Sequence, residues 1–190
     1  MHTDYQNQIS KLFFKMERYM QSNDIERADI MFPRGVLRTA DYFREELCFI
    51  DNPTFQSNLA YHLMLSDLYR WLLNRFDIKL TAKEMIIKEG ICLFGNICGS
   101  ICQYYGKRIL NSKDDVGLKT SLSLLIDNKI IDQDLKKKIR YLWGQRNKEH
   151  ISSLKIVEFK KYDLDKYNNA VDTWIELKEA LKKAKKEDKL

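Results

Sequence analysis

The chain has 190 residues, of which 44% are hydrophobic and 32% are charged, a balance that suits one soluble domain with a sizeable core. Its 7 Gly and 2 Pro are too few for the regularly spaced turns of a β-sandwich or a β-barrel. The four cysteines form no C-x-x-C pair and no signal peptide opens the chain, which argues against a disulfide framework and a zinc finger. We therefore expect an all-α protein of a reducing, cytoplasmic compartment.

The formal net charge is +6, and the excess lies in the last third of the chain. Residues 129–190 contain 17 Lys and Arg against 11 Asp and Glu, whereas residues 1–128 contain 16 of each kind. A local basic excess is an electrostatic footprint for a polyanion such as nucleic acid, with acidic lipid or an acidic protein as competitors. A solvated helix face with a lysine-rich tail explains the same charge, so charge alone leaves the partner open.

Apolar residues recur at intervals of three and four along most of the chain, a period that predicts amphipathic helices. Thr3 is expected to cap the first helix, and Thr81 with Glu84 has the spacing of a capping box for the fourth. Seven helices are predicted, over residues 4–22, 36–49, 54–75, 81–105, 116–127, 132–151 and 163–186.

Neither an internal repeat nor a shift in composition divides the chain, so we predict a single helical bundle over residues 1–190. Within it, an N-terminal helix and loop (1–35) precede the main core (36–180). Residues 152–162 alternate loosely and are expected to be extended or irregular. The basic tail 182–190 is expected to fray.

The fourth predicted helix is the most apolar and is expected to lie at the centre of the core. Its uncharged run from Gly90 to Tyr105 is 16 residues long, shorter than the ~20 that a membrane span needs, so a span is rejected. Gly95 and Gly99 lie four residues apart and leave a smooth patch for another helix. Cys98 and Cys102 share that face, and we interpret them as small core residues rather than metal ligands.

The sixth predicted helix places two polar side chains in the direction of the core. With Leu135 at zero and 100° per residue, Leu142 falls at about −20°, Arg146 at about 20° and His150 at about 60°. A buried Arg or His needs a partner or a cleft. In one reading a carboxylate satisfies Arg146 at the end of the helix; in the other the helix end opens onto a groove or dimer seam that binds a phosphate.

The segment Gln145-Arg-Asn-Lys-Glu-His-Ile151 resembles the signature of the HEPN superfamily, small helical domains built around a long helix pair. Many members are metal-independent ribonucleases of toxin–antitoxin, abortive-infection and CRISPR systems. Their motif is an Arg, often followed by Asn, and then a His near a helix end; Arg146, Asn147 and His150 match these positions. The helix–turn–helix run of residues 118–150 and the apolar helix beginning at Met85 are also similar to the family.

The resemblance implies cleavage of RNA by attack of the ribose 2′-hydroxyl, without a metal or another cofactor. His150 would transfer protons near neutral pH, Arg146 would stabilise the charged phosphate, and Asn147 would orient the His or bind a phosphate oxygen. A homodimer would place two motifs across a two-fold axis. Further contacts to the RNA backbone are expected from Lys136, Lys137, Lys138, Arg140 and Lys148.

The segment departs from the family pattern in two places. Three residues separate Arg146 from His150, where the family usually has four to six, although this spacing keeps both side chains on one face of an unbroken helix. Ser152 stands where a nucleotidyltransferase-paired subgroup has a Tyr. The resemblance also implies a partner, either an antitoxin or another defence protein.

Two other functions stay open beside the ribonuclease. The first is a catalytically silent HEPN-like module that binds nucleic acid or a partner protein. The second is a structural protein in which Arg146 and His150 only complete a helix. His62 is expected at a partly buried helix position, and with His2 and Cys48 it has no metal-ligand spacing.

Overall fold

The computed structural model describes residues 2–24, 26, 37–147 and 162–189, with side chains from residue 11 onward. These ranges contain seven helices and no strand, which confirms the expected all-α class. The helices are α1 (His2–Ser22), α2 (Ala40–Glu46), α3 (Pro53–Arg75), α4 (Leu80–Ile109), α5 (Leu118–Asp127), α6 (Gln133–Asn147) and α7 (Leu164–Lys186).

The chain divides into two compact units, residues 1–34 and residues 35–190. The first unit contains α1, a helix of 21 residues that begins at His2. Thr3 therefore lies inside the first turn, and its prediction as the N-cap is wrong. The second unit contains α2 to α7 and the candidate site.

Helix α4 is the centre of the second unit, because it contacts α3, α5, α6 and α7. Its buried face runs from Ile87 to Gly106, so apolar side chains cover most of its circumference, as the sequence predicts. By length and composition α4 could also span a membrane, but 67% of its most apolar window is buried inside the protein. Such burial is typical of the core helix of a folded domain. The two cysteines interpreted as core residues, Cys98 and Cys102, are fully buried.

Helix α6 packs onto the small-residue patch of α4, as the glycine spacing predicts. A Cβ placed on Gly95 would lie 2.8 Å from the carbonyl oxygen of Leu142 and 3.2 Å from the Cβ of Arg146. A Cβ on Gly99 would lie 2.3 Å from the ring of Trp143. The two glycines thus let the backbone of α6 approach α4 closely. Trp143 packs on Gly99, and the Cβ of Arg146 packs on Gly95.

Helices α2 and α4 begin at other residues than the sequence predicts. Helix α2 begins at Ala40, where the Thr39 hydroxyl accepts a hydrogen bond from the Tyr42 N–H at 3.2 Å, and it ends at Glu46 instead of residue 49. Helix α4 already begins at Leu80, so the expected capping box at Thr81 is wrong.

Helix α4 continues to Ile109, one turn beyond its predicted end at residue 105, and the remaining ends within the described residues lie within two residues of the prediction. Helix α3 begins at Pro53, one residue before the predicted start, and Asp163 caps α7 by accepting a hydrogen bond from the Lys166 N–H at 2.8 Å. Helix α7 ends at Lys186, the predicted last residue of the seventh helix, and the fraying of the tail 182–190 stays a prediction. The prediction for residues 152–161 and the end of the sixth helix beyond Asn147 lie outside the described residues.

Candidate functional site at the end of helix α6

The candidate site lies in the last turn of helix α6, and a side-chain cap fixes where that helix begins. The Asp132 carboxylate accepts a hydrogen bond from the Leu135 N–H at 2.8 Å, which caps the start of the helix. Fourteen residues after Asp132, Arg146 lies in the last turn next to Asn147. The other two predicted site residues of this segment, Lys148 and His150, lie outside the described residues.

The guanidinium of Arg146 is half-buried and held from two sides. Its Nε donates a hydrogen bond to the Oδ1 of Asn96 on α4 at 2.8 Å, and its Cζ lies 4.9 Å from the ring centre of Trp143. Its Nη1 also donates to the Oδ1 of Asn147 at 3.1 Å. The side chain points toward the core as the helical projection predicts, and uncharged groups fix its orientation.

Carboxylates pair with four other arginines of the second unit, namely Arg38, Arg44, Arg70 and Arg108. Arg38 donates to Asp67 through Nε at 2.8 Å and Nη2 at 2.5 Å, and this hydrogen bonding raises the pKa of Arg38 above its ordinary value. Arg44 pairs with Asp41, and Arg108 pairs with Asp51 at 2.6 Å.

Arg146 differs from these arginines in the kind of partner it has. Within residues 37–147 and 162–189, no carboxylate forms an ion pair with it. The reading in which a carboxylate satisfies the guanidinium therefore has no support in the part of the chain that is described. Since amide and indole groups orient a guanidinium without cancelling its charge, these contacts leave the side chain suited to bind an anion.

The basic residues of α6 have different neighbours. Lys136 points to α5, where its Nζ lies 3.5 Å from the Ser123 hydroxyl. Lys137 and Lys138 line a cavity of about 520 Å³ between α6 and α7. Arg140 is exposed. Lys136 therefore faces α5, whereas Lys137 and Lys138 face the cavity beside α7.

Lys138 is the most constrained of these lysines. Its Nζ lies 2.9 Å from Glu176 on α7 and 3.0 Å from Asp134 on its own helix. Hydrogen bonding to Glu176 and then Asp134 raises the pKa of Lys138 to about 12. Lys138 thus keeps its proton but shares its charge with two carboxylates, unlike the exposed Lys137.

The buried thiols offer neither a nucleophile nor a metal site. Burial raises the pKa of the Cys102 thiol to about 12, and burial together with the neighbouring Cys102 raises that of Cys98. A thiol in this state is inert, because the thiolate is the reactive form. Among the described side chains, no group of three His, Cys, Asp or Glu could hold a metal ion.

Asn96 is a site residue that the sequence does not predict, and His62 differs from its predicted burial. Asn96 was predictable only as an uncharged residue of α4, since its contact with Arg146 joins positions 50 residues apart. The sequence does show that Asn96 lies inside an apolar run. A buried carboxamide needs a hydrogen-bond partner, so this position indicates that one exists without identifying it. His62 is exposed on α3 instead of partly buried.

The chain was compared with protein families, curated proteins and solved structures. No protein-family model, no curated protein and no solved structure matches the chain.

Proposed function

We propose that this chain is a metal-independent ribonuclease of the HEPN type that acts on RNA in the cytoplasm as part of phage defence or a toxin–antitoxin pair. The observation that supports it is the state of Arg146, a half-buried guanidinium oriented by Asn96 and Trp143 with no carboxylate partner in the described ranges. The resemblance of the Arg146–His150 segment supplies the reaction, and the basic excess after residue 128 supplies attraction for RNA.

In the proposed reaction the imidazole of His150 removes the proton of a ribose 2′-hydroxyl. The 2′-oxygen then bonds to the adjacent phosphorus, and the bond from phosphorus to the 5′-oxygen breaks. The leaving oxygen takes up a proton, so the products are a 2′,3′-cyclic phosphate and a 5′-hydroxyl. Arg146 stabilises the extra negative charge on the phosphoryl oxygens during this step.

The proposal includes a homodimer, because one Arg and one His make a sparse site. An isologous interface would bring a second Arg146 and His150 to the same phosphate. Sedimentation equilibrium of the whole chain measures this state, and a monomer at the concentrations used for cleavage would remove the dimer from the proposal.

The experiment that tests the function is cleavage of a single-stranded RNA in the presence of a chelator. The expected products carry a 2′,3′-cyclic phosphate, and an all-deoxy strand of the same sequence stays intact because it lacks the attacking hydroxyl. Salt-dependent binding of RNA without any cleavage would instead favour a catalytically silent binding module.

A further inference from the structure

A small cleft between α3 and α4 adjoins the candidate site. Its volume is about 160 Å³, and its walls include Phe55, Asn58, His62, Asn96 and Ser100. Pockets for whole small-molecule ligands measure ~300–1,000 Å³. This cleft is about half the lower limit, so it can accept one ring-sized group but not a complete nucleotide.

Asn96 connects the cleft to Arg146. Its side chain lies in the wall of the cleft, and its Oδ1 accepts the hydrogen bond from Arg146 Nε at 2.8 Å. The same carboxamide also has two N–H donors. A ligand in the cleft and an anion at the guanidinium would therefore be neighbours, with Asn96 between them. A base and its adjacent phosphate are neighbours in the same way in a nucleic acid.

The imidazole of His62 has a defined hydrogen-bonding character. Its Nδ1 lies 2.8 Å from the backbone carbonyl oxygen of Asn58. Because a carbonyl oxygen only accepts, Nδ1 must hold the proton, and Nε2 of the neutral ring is then an acceptor. Together with the Asn58 carboxamide and the Ser100 hydroxyl, the cleft offers both donors and acceptors.

An aromatic ring completes the wall. Phe55 is stacked on Tyr104 of α4, with ring centres 4.9 Å apart and an interplanar angle of 26°, which holds the Phe55 ring in place. An aromatic face beside mixed donors and acceptors is the usual environment of an unpaired base, which stacks and is read through its polar edge.

We propose that this cleft binds one unpaired base of single-stranded RNA, beside the phosphate that Arg146 contacts. The base is a pyrimidine, because a cavity of about 160 Å³ suits one ring better than two. This inference rests on the proposed function for the nature of the polymer. It adds to that function a preference for the nucleoside that flanks the cleaved bond.

The first test uses DNA hexamers that contain a single ribonucleotide, so that only one bond can be cut. The base on each side of that bond is varied in turn among U, C, A and G, and kcat/KM is measured. We expect a pyrimidine on one side to be preferred by about 10-fold, which is ~1.4 kcal/mol. Equal rates for all four bases on both sides would overturn the inference while the ribonuclease stands.

The second test fills the cleft. Ser100→Leu places a larger side chain in the wall, and we expect it to reduce the pyrimidine preference to near unity. Thr120→Leu makes a comparable change at an exposed position of α5 outside the cleft, and it should keep the full preference. Circular dichroism confirms that both variants fold. If Ser100→Leu keeps the same preference as Thr120→Leu, the cleft does not bind the base.

The third test does not depend on cleavage. Uridine 3′-monophosphate is titrated into the labelled protein, and the NMR signal of the His62 ring is followed, with Ser100→Leu as the comparison. A shift that Ser100→Leu abolishes supports the cleft even if no RNA is cut, in which case only the ribonuclease fails. No shift of the His62 signal at millimolar nucleotide would overturn the inference.

Discussion

Asn96 and Arg146 join the central helix of the fold to the end of α6 through one hydrogen bond of 2.8 Å between a carboxamide oxygen and a guanidinium nitrogen. The bond fixes the direction of the guanidinium without cancelling its charge. A carboxylate in place of Asn96 would accept the same hydrogen bond but would also neutralise the cation. Substitutions of Asn96 can therefore change the orientation of the Arg146 guanidinium and its net charge separately.

Two substitutions of Asn96 are expected to impair RNA cleavage in different ways. Asn96→Leu removes the acceptor, so the misoriented guanidinium should lower kcat about 10-fold with a smaller change in KM. Asn96→Asp keeps the acceptor but pairs the charge, so KM should rise about 10-fold. Steady-state kinetics on a short RNA measure both values.

The matched control for these variants is Asn168→Ala, which removes a carboxamide from the exposed face of α7 and should leave both constants unchanged. Wild-type kinetics in Asn96→Asp would show that the free charge of Arg146 does not matter for RNA binding.

The glycine contact between α4 and α6 predicts opposite effects for two alanine substitutions. Gly99→Ala brings a Cβ to 2.3 Å from the Trp143 ring, which must shift, so we expect a loss of ~1–3 kcal/mol in the free energy of unfolding. A Cβ on Gly144 meets nothing within 4 Å, and Gly144→Ala should add up to ~1 kcal/mol through helix propensity. Urea denaturation measures both, and equal stabilities would contradict the close approach.

The lysines of α6 are expected to contribute unequally to RNA binding. Lys138 is paired with Glu176 and Asp134, whereas Lys137 is exposed. Lys137→Ala should therefore reduce the slope of log K against log salt concentration by about 0.7, the value of one phosphate contact on a single strand. Lys138→Ala should change that slope much less. Fluorescence anisotropy over a salt series gives the slopes, and the reverse order would contradict this assignment.

An ion pair between α2 and α7 predicts a dependence of stability on pH. Glu46 accepts hydrogen bonds from Lys178 at 2.6 Å and from Lys182 at 3.3 Å, and the bond from Lys178 holds the pKa of Glu46 below its ordinary value. The stabilisation is therefore present above the ordinary glutamate pKa of about 4.3 and is lost as the pH falls through the lowered value.

The variant Glu46→Gln tests this pair. We expect it to be less stable than the wild type by ~0.2–1 kcal/mol at pH 7, the usual range for a partly exposed ion pair. The difference should vanish at about pH 2, where the wild-type carboxyl group is protonated. Urea denaturation at both pH values is the measurement, and a difference that grows on acidification would refute the assignment.

The helix period is the part of the fold that the sequence makes predictable. Projection of α6 places Arg146 toward the core, and the spacing of Gly95 and Gly99 indicates where another helix packs; the structure confirms both. These features depend only on the geometry of a single helix. Helix starts are less predictable, because several neighbouring residues can stand at the N-cap position, as at α4, where Lys79 and not Thr81 occupies it.

The surroundings of Arg146 could not be predicted from α6 alone. Asn96 reaches it across 50 residues of sequence, and such a contact depends on how two helices pack. Similarly, Lys138 reads as a free basic residue in the sequence, but Glu176 on α7 binds it. The partners of a charged side chain follow from tertiary packing, so its charge state in the fold cannot be read from local sequence.

The measurement that tests the central claim most directly is RNA cleavage in chelator by the wild type, Arg146→Ala and His150→Ala, with circular dichroism to confirm folding. We predict 2′,3′-cyclic phosphate products from the wild type and a rate at least ~100-fold lower in each variant. Wild-type rates in both folded variants would contradict the assignment of this site.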